Sequence, residues 1–199
     1  AHLVLVPELF QVPSRHQAPG LMAVVSWLER MSIRLADHVI CTNETFRAFA
    51  MSRGGKDGRD VTVVRNGPWL SRDFIRAEPP DAATRTGVLV GYIGIMNPQD
   101  HIDHLIRAVH VERHELHRSD IRFLLIGSGD AYEALRALRD SLRLNDAIYM
   151  PGTIPWSEVI NGLGRADICV QPDPPTAFNR HLTMNKLMEY MALGKPSIA

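Results

Sequence analysis

Lysine is almost missing from this chain. Of the 22 basic residues among 199, only Lys56, Lys186 and Lys195 are lysines, and two of the three fall within ten residues of each other near the end. Acidic residues also number 22, so the formal net charge is +0. There is no basic surplus of the kind that neutralises a phosphate backbone, which argues against a nucleic-acid partner. Cysteine is scarcer still. Cys41 and Cys169 each sit inside an apolar run and read as small buried hydrophobes, not as a disulfide or a metal pair, and this fits a reducing, cytoplasmic compartment. No apolar stretch approaches the ~18 residues of a membrane span. The first residues, Ala1-His2-Leu3-Val4-Leu5-Val6, lack the pattern of a secretory leader, and Ser197-Ile198-Ala199 reads as the opening of a strand. The expectation is a chain cut at both ends. What is plentiful is apolar residues, at 45%, enough to bury a core and to exclude disorder as the overall state.

From about residue 84 onward, short apolar runs alternate with longer amphipathic ones. Strands are expected at 88–93, 121–126, 147–150 and 168–170, and helices near 102–116, 130–143 and 156–164. This alternation predicts βαβ units and a parallel sheet, whose ligands bind beyond the carboxyl ends of the strands. Upstream, helices are expected at 21–35 and 43–52 and strands at 37–42 and 61–64, ending in the turn signal Asn66-Gly67-Pro68. Residues 76–86, rich in Pro, Ala and charge at their start, read as a linker.

The segment Thr183-Met184-Asn185-Lys186-Leu187-Met188-Glu189-Tyr190-Met191-Ala192-Leu193-Gly194-Lys195-Pro196 carries the chemistry. Thr183 is placed to cap a helix over about 184–193, and Gly194 with Pro196 to stop it. Met184, Leu187, Met188 and Met191 would form its apolar face, with Asn185, Lys186 and Glu189 on another. A helix N-terminus carries roughly +0.5 charge and free N–H groups, which suit a phosphate, and Lys186 adds a full charge. Glu189, one turn on, is spaced to accept hydrogen bonds from a ribose. Phosphate at the end and ribose along the side describe a nucleotide diphosphate. On spacing alone an ordinary exposed Lys186–Glu189 helix pair explains the pattern as well.

This block resembles the donor-binding helix of retaining GT-B glycosyltransferases of family GT4, in which a Glu closes an EX7E motif ahead of a Gly-x-Pro turn. It is similar in particular to a bacterial subgroup that reads Met-Asn-Lys before that Glu. Pro7-Glu8-Leu9, Ala36-Asp37-His38-Val39-Ile40, Val63-Val64-Arg65-Asn66-Gly67, Gly91-Tyr92-Ile93-Gly94, Leu125-Ile126-Gly127-Ser128-Gly129-Asp130 and Ala166-Asp167-Ile168-Cys169-Val170 follow the family in order. The resemblance implies an α/β GT-B fold of two Rossmann-like parallel-sheet domains, both incomplete here. Residues 1–75 would be the back part of the N-terminal acceptor domain and 87–199 the front part of the donor domain, and the piece alone would be inactive. It implies a hexosyltransferase-type enzyme that takes a nucleotide diphosphate sugar, needs no cofactor or metal, and transfers with retention to a glycan, lipid or small-molecule acceptor.

The same resemblance gives Glu189 the ribose, and gives the diphosphate to Lys186 with the amides near Thr183, Met184 and Asn185. Gly152-Thr153-Ile154 would be the base-binding turn. Gly94, Gly127 and Gly129 would let the backbone approach the ligand, or would simply be tight strand exits. Two departures stand out. His181 occupies the place of the first Glu of EX7E, and Asn97-Pro98-Gln99 has no cation where many relatives bind phosphate. They motivate a second reading, a nucleotide-binding or scaffolding protein of the same shape without catalysis; a sugar-nucleotide epimerase is a third. The histidines at 101, 104, 110, 114 and 117 miss the HExxH spacing and read as an exposed polar face. The segment from Leu21 to Arg34, with Trp27, reads as an amphipathic helix first and as a peripheral contact with the inner face of a membrane second.

Overall fold

The computed structural model describes residues 19–68, 87–176 and 179–199, which divide between two compact units. The first holds the described residues up to Asn66 together with Pro175–Thr183, and the second those from Gly67 to Pro174 together with Met184–Ala199. The Pro7-Glu8-Leu9 landmark and the linker at 76–86 lie outside the described residues.

In the first unit, helix α1 (Pro19–Leu35) is followed by strand β1 (Val39–Cys41), helix α2 (Glu44–Gly54) and strand β2 (Val61–Val63). β1 and β2 pair in parallel, Val39 opposite Val61 and Cys41 opposite Val63, as a βαβ crossover requires. Ile33, Val39, Cys41, Phe46, Ala50 and Val61 make its core. Leu21, Val24 and Trp27 on α1 are exposed, while Glu29 on the same helix is buried within 3.5 Å of Arg53. Asn43 caps α2, accepting from the Phe46 amide at 2.9 Å and donating to the His181 carbonyl at 2.8 Å. With Leu182 packed on the same core, this ties Pro175–Thr183 to the first unit, although it is an insertion within a stretch the sequence assigns to the second.

The second unit contains β3 (Val88–Ile93), α3 (Ile102–His114), β4 (Ile121–Ile126), α4 (Tyr132–Ser141), β5 (Ile148–Gly152), α5 (Trp156–Gly164), β6 (Ile168–Val170), α6 (Asn185–Ala192) and β7 (Ser197–Ile198). The expected strands and helices are present, with ends moved by up to about two residues, the ordinary uncertainty of frayed termini. All strand pairs are parallel, in the order β5-β4-β3-β6-β7. The chain therefore winds outward from β3 through β4 to β5, then returns to the other side of β3 for β6. Helices α3 and α4 cover one face over Val90, Tyr92, Phe123 and Leu125, and α5 and α6 cover the other over Ile126 and Cys169. Reversal of direction between β3 and β6 creates the crevice in which open parallel sheets bind ligands.

The loops after β3 and β4 are zipped together. Ile126 accepts from the Gly94 amide at 3.2 Å, and Ser128 from the Met96 amide at 3.0 Å. Gly127 has φ +132°, and a Cβ there would stand 1.9 Å from the Gly94 carbonyl oxygen. Both the conformation and the space demand glycine. Gly127→Ala should therefore lower the unfolding free energy by about 3 kcal/mol in chemical denaturation; a loss below about 1 kcal/mol would contradict this account of the turn.

Candidate functional site

Strands β3 and β6 pair at Val90–Ile168 and Gly91–Cys169, and then part. Tyr190 of α6, fully buried, fills the fork: its hydroxyl accepts from the Ile93 amide at 3.1 Å and donates to the Val170 carbonyl at 3.2 Å. One phenol thus satisfies a donor on one strand and an acceptor on the other, which would be costly to bury unpaired. This corrects the expected facing of the helix. Leu187 and Tyr190 turn inward and Met191 is 72% exposed, because the hydroxyl has partners at the fork that a thioether could not serve.

The helix is also shorter than expected, 185–192, with Met184 at the N-cap and no side-chain cap. Thr183 is not the cap. It belongs to the first unit, where its hydroxyl accepts from Asn43 Nδ2 at 3.3 Å. His181 likewise packs edge-on against Phe49 at 5.1 Å within the first unit. Asn185 is exposed at the start of α6, so the amides of the first turn carry no competing side-chain acceptor from the cap.

Lys186 is not an exposed helix lysine. Its stem passes Gly94, where an added Cβ would lie 3.6 Å from Cε, and its ammonium lies 5.0 Å from the centre of the Tyr92 ring. Nζ donates to Asp173 Oδ2 at 2.8 Å, with the two side chains 14% and 4% exposed. Lys186 thus stands beyond the ends of β3 and β6, paired with Asp173 instead of Glu189. Glu189 is half-buried one turn along; burial pushes its carboxyl above the usual range, and Lys186 pulls it partly back. Asp100, from the loop after β3, completes the group. Its carboxylate accepts from the Asn97 amide at 2.8 Å. Burial raises Asp100 first, the Asn97 amide and Lys186 lower it, and Asp173 raises it again. Burial also drives the phenols of Tyr92 and Tyr190 far above their ordinary range, so both stay neutral.

The remaining expected residues frame this group. Gly94 and Gly127 meet backbone to backbone, and Gly129 abuts the Met96 backbone, a close approach that side chains at Gly127 and Gly129 would block. Ile154, after β5, packs its side chain on the core containing Ile126 and Tyr190. His101 packs edge-on against His104 at 4.6 Å, and His110 lies the same distance from His114. Burial pushes the Cys169 thiol up to about 11, as befits an inert core group. Sequence reading missed Asp100, Asp173 and Tyr190 as contributors. Asp173 carried only a weak signal, a lone acid between prolines, and Asp100 only the Asn97-x-x-Asp100 turn.

Residues 87–199, more than half of the chain, match the family model described as glycosyl transferases group 1. The chain belongs to that family. Among curated relatives of this group 1 chain is TuaH of Bacillus subtilis strain 168, whose name assigns it to teichuronic acid biosynthesis as a glycosyltransferase; it is 25% identical over 88% of the chain and 43% of its own length. Another is the GPI3 subunit of the Saccharomyces cerevisiae phosphatidylinositol N-acetylglucosaminyltransferase, 25% identical over 71% of the chain and 32% of its own length. The chain thus spans less than half of either relative. Among solved structures, WaaG, a glycosyltransferase of lipopolysaccharide biosynthesis, superposes with a TM-score of 0.73 at 14% identity, over 99% of this chain and 54% of its own. Anabaena Alr3699/HepE, solved with UDP and glucose, gives 0.62 at 18% identity, over 92% of this chain and 50% of its own. These likenesses establish the fold: parallel α/β, covering part of the GT-B architecture.

Two stability measurements check this geometry. Tyr190→Phe removes both fork hydrogen bonds and should cost about 2 kcal/mol. Lys186→Ala leaves Asp173 buried beside Asp100 without its cation and should cost about 3 kcal/mol, part of which Asp173→Asn restores when added. Strict additivity of the pair would show that the ion pair does not form.

Proposed function

We propose that the full-length protein is a retaining, metal-independent glycosyltransferase of the GT4 type, in the Met-Asn-Lys subgroup, that moves a hexose-type sugar from a nucleotide diphosphate sugar to a glycan, lipid or small-molecule acceptor. The observation that carries the reading is the position of Lys186, at the first turn of α6 and beyond the ends of β3 and β6, where a doubly wound sheet reverses direction. In this reading the ammonium and the amides of Asn185 and its neighbours hold the departing diphosphate, and stabilising that charge as it develops is the chief catalytic contribution of this part of the protein. Glu189 takes the ribose hydroxyls, and the backbone around Ile154 takes the base. No cofactor is called for; the nucleotide sugar is a substrate.

The relatives support a sugar-nucleotide donor. HepE is described in complex with UDP-glucose, and TarM with UDP, and TuaH and WaaG are named for cell-surface glycan biosynthesis. A bacterial, cytoplasmic enzyme working at the inner face of a membrane agrees with these names. The exposed Leu21, Val24 and Trp27 of α1 offer a surface for such contact, and no described helix is long and apolar enough to cross a membrane.

A second reading, nucleotide binding without transfer, is favoured by two observations. His181, at the expected place of the first Glu, is engaged within the first unit, and the loop after β3 brings a carboxylate, Asp100, instead of a cation. Transfer assays on the full-length protein separate the two. Lys186→Ala and Glu189→Ala should each lower donor turnover at least tenfold, about 1.4 kcal/mol of transition-state stabilisation. Wild-type turnover in both variants would overturn the assignment, and nucleotide binding without transfer to any acceptor would favour the second reading.

A further inference from the structure

Three side chains outside the fork come together where the loop after β3 enters α3. One ligand atom from each of His101, Asp103 and His104 lies within 4.8 Å of the other two, and no other group of His, Cys, Asp or Glu is so placed among the described residues. His101 immediately precedes α3 in the left-handed backbone region, φ 51° and ψ 35°, which histidine enters more readily than most residues but at a cost. Its ring makes no cap hydrogen bond to the helix and lies edge-on to His104 instead, centroids 4.6 Å apart. The two Nδ1 atoms are 3.4 Å apart. That is longer than the ~2.7–3.2 Å of an ordinary hydrogen bond. It matches an edge of the tetrahedron around a zinc-like ion, since two bonds of about 2.0–2.1 Å at the tetrahedral angle set their nitrogens ~3.3–3.4 Å apart. Asp103 Oδ2 is 3.8 Å from His104 Nε2, and on a side chain 43% exposed the carboxylate has room to swing into the third position. His110 and His114 stack at the same 4.6 Å, yet no third ligand joins them within that reach.

We infer that His101 Nδ1, His104 Nδ1 and the Asp103 carboxylate bind a divalent transition-metal ion of the zinc type, with water in the fourth position. Two imidazoles and a single carboxylate favour Zn²⁺, Co²⁺, Ni²⁺ or Cu²⁺ over Mg²⁺ and Ca²⁺, which take oxygen ligands. The N-terminus of a helix by itself repels a cation, but Asp103 in the first turn of α3 and Asp100 in the preceding turn bring the opposite charge there. A bound ion ties the loop that leaves β3 to the first turn of α3, and so fixes the backbone at His101 that is costly to hold without it. None of the three ligands is assigned to the donor, so the inference stands apart from the diphosphate reading and gives the ion no step in transfer.

The test uses the full-length protein stripped of metal by a chelator. Titration calorimetry with Zn²⁺ should show a site that His101→Asn, His104→Ala and Asp103→Asn each weaken at least tenfold, and Co²⁺ should give there the visible absorption of a four-coordinate ion. Asparagine at 101 tolerates the left-handed backbone and the other two positions are solvent-accessible, so the variants keep the fold. Zn²⁺ should also raise the unfolding temperature of the wild type, through binding to the folded state, more than that of His104→Ala. Mg²⁺ should do neither. The double variant His110→Ala with His114→Ala should bind Zn²⁺ as the wild type does. Absence of Zn²⁺ binding in the wild type, binding unchanged in His101→Asn or His104→Ala, or binding lost in the His110 and His114 double variant overturns the inference, and each of these leaves the diphosphate reading untouched.

Discussion

Strands β3 and β6 are hydrogen-bonded for two residue pairs and then diverge, and the candidate site follows from how that fork is filled. A diverging pair of parallel strands exposes an amide on one side and a carbonyl on the other, and neither can be buried unpaired without a cost of about 1–3 kcal/mol. Tyr190 supplies both partners with one hydroxyl, which orients α6 about its axis. With that rotation set, Lys186, four residues earlier and about one turn away, points over Gly94 toward the β6 exit, where Asp173 meets it. Gly94, the Tyr92 phenol and the lysine are one arrangement: a Cβ on Gly94 would lie 2.5 Å from the Tyr92 hydroxyl and 3.6 Å from Lys186 Cε.

The electrostatics of the site depend on the same packing. In a loop exposed to water, Asp100, Asp173 and Glu189 would have only a weak mutual influence. Gathered at the fork they surround one lysine, and burial pushes the carboxyls of Asp100 and Glu189 above their usual range. The pairing with Asp173 lets Lys186 be buried without leaving an isolated charge.

How much of this was legible in the sequence varied with the range of the interaction. The βαβ order, the strand positions and the ends of α5 came from local period and turn chemistry, because backbone hydrogen bonding and burial of one face act over a few residues. Thr183 shows the limit. A threonine before an amphipathic run is a sound N-cap by local rules, yet Asn43, 140 residues away, engages its hydroxyl. Met191 shows the same limit on packing: its spacing matched an apolar stripe, and only the partners of the Tyr190 hydroxyl decided which side of α6 faces the core.

The amino-acid sequence by itself determined the succession of strands and helices, the fold class that this succession implies, and the scarcity that singled out Lys186, since each depends on near neighbours or on counting. Only the tertiary structure decided that Lys186 answers to Asp173 and not to Glu189, that Asp100 stands beside them, and that Pro175–Thr183 packs with the first unit. Those outcomes depend on where the exits of two non-consecutive strands come together, and no local periodicity encodes a distance between residues 73 positions apart, as Asp100 and Asp173 are.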